Sequence, residues 1–262
     1  MTESGGQARR RVIMVGGSAV LGALGGAALN DEAVAYEVTH RPPSYRVAPP
    51  APRTGAFVAP VVWRAAGGGV ALTFDDGPDP RWTPRILDIL KQNRCLATFF
   101  VLRTQVLKHP DLLRRIVAEG HQIGVHGVAH VDMTTLDAAA LEREFDLSID
   151  TVRTIGGVTA TVMRPPYGRF DAPVLQRATA AGLQMVLWSD WLPGKHSAAA
   201  AGVLERDLTN GSIVLCHDSR RTPSEGMIAA LRGFVPRLQS RGHELVTVDG
   251  LLGPDAAPGS KR

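Results

Sequence analysis

The sequence predicts an α/β fold: a closed or nearly closed barrel of about seven parallel strands, forming one domain from Gly67 to Gly250. Three observations carry this. Short apolar runs alternate with helix-length segments, the pattern of strand–helix–strand units. The runs are apolar at nearly every position, as in parallel strands covered on both faces. Seven of them fit within about 180 residues, which suits a barrel better than an open sheet.

Val70–Phe74 is the first strand, and Pro84–Gln92 is the helix behind it, with Thr83 as a candidate N-cap. Ala97–Val101 precedes the helix Pro110–Ala118, which Gly120 stops. Gln122–Val125 is the third strand, and the long segment Asp137–Thr154, opened by Asp137, follows it. Val162–Arg164 and Leu183–Leu187 flank Ala172–Ala181, a helix capped by Asp171 and ended by Gly182. Ala198–Leu208 leads to the sixth strand, Ser212–His217. Glu225–Ser240, stopped by Gly242, leads to the last, Glu244–Val248, and residues 251–262 form a tail. No internal repeat is present.

The ends read differently. Arg9-Arg10-Arg11 is a basic cluster, Val12–Leu29 is apolar and rich in Gly and Ala, and Ala33-Val34-Ala35 is a run of small residues. That order predicts a secretory signal over residues 1–35, cut after Ala35, and consecutive arginines resemble a twin-arginine signal. The alternative is a retained anchor, though five glycines weaken the apolar run as a membrane span. Residues 36–66 are Pro-rich and aperiodic, a stiff extended spacer.

The net charge of +4 is small and scattered. It suits a polyanionic wall surface and argues against nucleic acid as a partner. A solvated surface with a slight surplus of arginine explains it equally. Cys95 and Cys216 fall at opposite ends of their strands, roughly 15 Å apart at about 3.3 Å per residue. Two unpaired, buried thiols are expected.

Polar clusters follow five different strands, where barrel enzymes keep their chemistry. Asp75 and Asp76 are adjacent carboxylates that need a nearby cation to coexist, or else serve an Asp-Asp-Gly-Pro turn. Successive side chains point apart, so one can hold a metal while the other faces a bound water. His126 and His130, spaced i and i+4, can converge on one ion, and two histidines with one carboxylate form a usual catalytic zinc set. Arg164 opens Arg164-Pro165-Pro166-Tyr167-Gly168, where it can keep a carboxylate ionised, although the sequence also describes a tight turn. His217 is a candidate general acid or a hydrogen-bonded core histidine. Asp190 could orient Arg164, and Trp191 could wall a pocket or stack on a sugar, or both could belong to the core. His40, His109, His121, His196 and His243 are background.

With these residues the chain resembles the polysaccharide deacetylases of carbohydrate esterase family 4, whose shared region is the NodB homology domain. Thr73-Phe74-Asp75-Asp76-Gly77-Pro78 is similar to the family's first motif, and His126-Gly127-Val128-Ala129-His130 to its second. Arg164-Pro165-Pro166-Tyr167-Gly168 resembles the third, and Leu215-Cys216-His217 the last.

The resemblance implies a distorted (β/α) barrel and a divalent metal, usually zinc, on Asp76, His126 and His130. It also implies a glycan substrate bearing N-acetyl groups, in peptidoglycan or a chitin-like oligomer. Asp75 is implied as the base, steadied by Arg164, and His217 as the acid. The Tyr167 backbone N–H would meet the oxyanion, and Leu215 would line the acetyl-methyl pocket. Two departures stand out. Gly127 replaces the family's Ser or Thr, losing a hydroxyl that stabilises the loop. The segment Trp188-Ser189-Asp190-Trp191 offers one aspartate before the tryptophan where the fourth motif spaces two.

Other readings are an O-acetyl esterase on a polysaccharide such as xylan, and a glycan-binding relative without activity. The pairing of Asp75 with His217 argues against the second, because a binder needs neither.

Overall fold

The sheet is built from β1 (Val61–Val62), β2 (Val70–Asp75), β3 (Thr98–Val101), β4 (Gln122–Val125), β5 (Val162–Met163), β6 (Gln184–Val186), β7 (Asp190–Trp191), β8 (Ile213–His217) and β9 (Leu245–Val246). Its helices are α1 (Thr83–Gln92), α2 (Arg103–Lys108), α3 (Pro110–Ala118), α4 (Ala138–Gly156), α5 (Ala172–Ala180), α6 (Ser197–Asp207), α7 (Glu225–Ser240) and α8 (Val248–Leu252). The computed structural model describes residues 61–220 and 223–253. The predicted export signal, the spacer up to residue 60 and the tail from residue 254 lie outside the described residues.

Every strand pairing is parallel, in the order β1-β6-β5-β4-β3-β2-β8-β7, with β9 beside the start of β2. The sheet curls because one stretch of chain serves both of its ends. Residues 184–186 pair with β5 and β1, and residues 190–191, a few positions on, pair with β8. This is the distorted barrel that the sequence predicts. The fifth predicted strand, Leu183–Leu187, is the first half of that partner-switching segment.

Several boundaries differ from expectation, three of them with consequences for the fold. Residues 61–66, assigned to the spacer, begin the fold: β1 pairs with β6, Arg64 bridges to Ser212, and the Ala65 N–H donates to the Gly211 carbonyl at 2.9 Å. A two-residue strand beside a Pro-rich stretch has no periodicity to betray it. The last strand is shorter than predicted, because Val248 starts α8 under a cap from Thr247. Leu251, placed in the tail, is buried in that helix. Asp137 and Asp171 cap helices as predicted, and Gly120, Gly182 and Gly242 stop helices with positive φ. Thr83 does not cap; it is the first residue of α1, and its hydroxyl serves the site described below.

Strand alternation divides the core and aims the site. On β2, Leu72 and Phe74 face the helices, while Ala71, Thr73 and Asp75 take the other face. On β8, Val214 and Cys216 face outward, and Ile213, Leu215 and His217 inward. The inner layer is completed by Phe100, Val162, Val186 and Trp188. Cys95 and Cys216 are both free and buried, as expected, and burial pushes the Cys95 thiol up to about 11. Among the described residues no helix is long and apolar enough to cross a membrane.

Candidate metal centre and active site

Asp75 ends β2 on the inner face and lies in register with His217 on the adjacent β8. Both side chains are buried. Asp76 must turn away from that face, and its backbone does so in the left-handed region at φ 79°. The turn is held from two sides: the Asp218 N–H donates to the Asp75 carbonyl at 3.1 Å, and the Leu102 N–H to the Gly77 carbonyl at 3.0 Å.

His126 follows β4, with Nδ1 2.6 Å from the Arg164 carbonyl oxygen. A carbonyl can only accept, so Nδ1 carries the proton and the Nε2 lone pair faces the site. Burial lowers the pKa of His126 to about 3, so the ring is neutral. His126 Nε2 is 3.6 Å from Asp76 Oδ1, and His130 Nε2 is 3.3 Å from the same oxygen. His130 adopts φ 60° and packs edge-on against Tyr167, with ring centroids 4.4 Å apart.

These three groups fit a divalent ion. Their ligand atoms all lie within 4.8 Å of one another. Zinc bonds of about 2.0–2.1 Å at tetrahedral angles would put neighbouring ligand atoms roughly 3.3 Å apart. Asp76 Oδ1 is buried and has no hydrogen-bond partner among the described residues. Burial, then the Asp75 charge, raises the Asp76 pKa well above its ordinary value; Asp218 adds to this and Arg220 opposes it. A cation at the meeting point of two imidazoles would relieve that burden.

Arg164 is fully buried and spends its donors on four oxygens. Nη1 donates to Asp75 Oδ1 at 2.7 Å and Thr73 Oγ1 at 2.8 Å; Nε and Nη2 donate to the carbonyls of Val186 and Leu187. The guanidinium lies 4.2 Å from the Phe100 ring centroid. Burial lowers the Arg164 pKa and Asp75 raises it back, and an arginine stays charged under that balance. Tyr167 adopts φ 61° inside the Pro166–Gly168 turn. Gly168 is required there, since a Cβ would meet the Trp188 ring at 2.8 Å. Leu215 is buried on the inner face, in register with Trp191 on β7.

Asp190 does not orient Arg164, contrary to expectation. Its Oδ2 accepts from Ser189 Oγ at 2.6 Å and lies 3.7 Å from Arg64, while Arg164 is satisfied elsewhere. The cause is the partner switch after β6, which carries residues 190–191 over to β8.

Three residues of the site are not singled out by the sequence, and Thr83 reads there only as a helix cap. Asp218 is buried beside the Asp75–Pro78 turn, and its Oδ2 accepts from Thr83 Oγ1 at 2.6 Å. Its carboxylate packs so close to Gly77 that a Cβ there would lie 2.2 Å from Oδ2. Arg220 Nε stands 3.6 Å from Asp76 Oδ2. Glu144, on α4, accepts from the Val128 N–H at 2.7 Å, between the two histidines. Asp218 adjoins a suspected acid and could have been noticed; Arg220 and Glu144 have no local signal.

Comparison with known proteins follows the same lines. A family model described as polysaccharide deacetylase matches residues 64–186. A chitooligosaccharide deacetylase of Rhizobium leguminosarum bv. trifolii is 38% identical over 208 residues, covering 72% of this chain and 96% of that protein. A peptidoglycan-N-acetylglucosamine deacetylase of Bacillus cereus is 36% identical over 192 residues, covering 70% and 87%. The chitin deacetylase structure from the fungal pathogen Colletotrichum lindemuthianum superposes with a TM-score of 0.68 at 30% identity, covering 77% of this chain and 96% of that one.

Proposed function

The chain belongs to the polysaccharide deacetylase family, and from that premise we propose that it is an exported, zinc-dependent enzyme removing N-acetyl groups from peptidoglycan or a chitin-like oligomer. One observation supports this above the others. A carboxylate held by a buried arginine, Asp75, sits across one strand pair from His217 and beside three convergent metal-ligand side chains.

Asp76, His126 and His130 would hold the ion. When bound, it would lower the pKa of a water toward about 7 and polarise the acetamide carbonyl. Asp75 takes the proton from the attacking water, and Arg164 keeps Asp75 ionised for that task. The Arg164–Gly168 turn presents the Tyr167 N–H to the developing oxyanion. His217 delivers a proton to the nitrogen as the C–N bond breaks, so acetate and a free amino sugar leave. Leu215 and Trp191 shape the acetyl pocket. The signal-like residues 1–35 and the modest positive charge suit action at a cell wall.

The test is acetate release from N-acetylglucosamine oligomers and from purified peptidoglycan, using residues 36–262 with zinc restored or with a chelator. Zinc-dependent release is expected, and the better substrate identifies the polymer. Asp75→Asn should lower turnover about 10²–10⁴-fold while zinc stays bound. Release from acetylated xylan alone would shift the reading to an esterase. No release from any substrate, with zinc bound, would sink the catalytic reading.

A further inference from the structure

We infer that Glu144 is a positioning residue for the metal site, fixing from outside the loop the backbone that spaces His126 from His130. The inference rests on the metal-site reading above and extends it to a helix that contributes no ligand.

The loop between the two imidazoles has few means of holding itself. Gly127 sits at φ +91°, a conformation that residues with a Cβ rarely adopt, and it is walled in. A Cβ at that position would lie 2.9 Å from Met133 Cε and 3.0 Å from Glu144 Oε2. The space beside residue 127 is therefore filled by side chains from elsewhere, and the loop has no side chain of its own there.

The backbone polar groups of residues 127 and 128 are tied to neighbouring elements instead. The Arg103 and Thr104 N–H groups at the start of α2 donate to the Gly127 and Val128 carbonyls, each at 3.0 Å. The Val128 N–H, pointing toward α4, donates to Glu144 Oε2 at 2.7 Å. A backbone amide bound to a carboxylate makes a strong, charge-assisted bond. Glu144 is rooted on the 19-residue helix α4, next to the buried Phe145 and Leu141, so its anchor is rigid. Without it the loop would keep its two carbonyl contacts, including the one from Arg103 to the Gly127 side of the 127–128 peptide, and lose the contact that clamps the Val128 side of the same peptide. The Val128 side leads through Ala129 into His130, so this clamp bears on where His130 meets His126.

The experiment is zinc titration of the metal-free protein by chelator competition, together with hydrogen exchange at the Val128 amide. Glu144→Ala is expected to weaken zinc about 10–100-fold, the range for partners that orient a ligand. The Val128 amide should exchange at least tenfold faster. Glu144→Gln keeps a carbonyl oxygen at the same reach and should restore zinc affinity to within about threefold. If Glu144→Ala does not fold, Glu144→Asp serves, since one methylene less cannot span the bond, and it should fall well below Glu144→Gln. Unchanged zinc affinity in Glu144→Ala, or a loss in Glu144→Gln equal to it, overturns the inference. Failure of the parent protein to bind zinc would overturn the underlying site reading instead, and is told apart because it does not depend on residue 144.

Discussion

At the residue scale the governing feature is one buried ion pair that depends on both of its members. Arg164 and Asp75 are both shielded from water and joined at 2.7 Å. Removing one leaves the other as an uncompensated buried charge, which costs about 3–5 kcal/mol. Arg164→Met should therefore lower the urea unfolding free energy of the metal-free protein by about that much. Adding Asp75→Asn to it should recover part of the loss, and a double variant no more stable than Arg164→Met would refute the coupling.

Asp218 makes a separate case, because burial, with Asp75 and Asp79 contributing, pushes its carboxyl up to about 7 against hydrogen bonds from Thr83 and Gly77. The folded state then holds a proton that the unfolded chain loses near pH 4. Its contribution is present at low pH and is lost as pH rises toward 7, at no more than about 1.4 kcal/mol per pH unit. In the metal-free protein, urea midpoints of the parent relative to Asp218→Asn should decline between pH 4.5 and 7.5. An identical pH dependence in both would exclude this.

At this scale sequence was most informative about chemistry that depends on residue type and strand position. Asp75, Asp76, His126, His130, Arg164 and His217 stand out because each is polar at the end of an apolar run. Thr83, Glu144 and Arg220 do not stand out, because contact across the fold gives them their place. Thr83 meets Asp218 across 135 residues of sequence.

At the element scale, the short pieces carry the departures from expectation. β1 has two residues, and its role is visible only beside β6 and the start of β8. A run of mostly apolar residues five or six long makes β2 and β8 legible as strands covered on both faces, and the packing of the fold assigns their inner faces. Two residues make no such run, and the prolines before them suggest a spacer. The switch from β6 to β7 is hidden for the same reason, which is why Asp190 reads as a partner for Arg164 until its strand is seen to belong to β8. The difference is testable by truncation. A chain starting at residue 67 loses the bonds from the Leu187 N–H to the Val62 carbonyl and from the Ala65 N–H to the Gly211 carbonyl. It also uncovers the cluster against which Val61, Val62 and Ala65 pack. With about 1 kcal/mol per bond plus the apolar loss, it should be less stable than a chain starting at residue 61 by about 2–4 kcal/mol in urea. Equal midpoints would return residues 61–66 to the spacer.

At the scale of the whole molecule, the candidate ion is a cross-link between parts of the sheet that are not neighbours. Asp76 leaves the end of β2, His126 and His130 leave the end of β4, and β3 lies between them. An unfolded chain cannot gather these ligands, so binding energy becomes folding energy. With zinc at 100 times its dissociation constant the gain is about 2.7 kcal/mol, which for a domain of this size raises the melting temperature by roughly 5–10 °C. The effect should depend on pH, and Asp76 and His126 contribute to that dependence differently. His126 is already neutral, since its pKa is lowered to about 3, and it imposes no limit near neutral pH. Asp76 is the opposite case: its pKa is raised, so in the metal-free protein the carboxyl keeps its proton to higher pH and must release it to bind the ion. The zinc-induced rise in melting temperature should therefore shrink as pH falls and grow as pH climbs through the raised Asp76 value. Differential scanning fluorimetry with and without zinc, repeated across pH, measures this. Asp76→Asn should remove most of the rise at every pH, and a rise that persists in that variant would mean that zinc binds elsewhere.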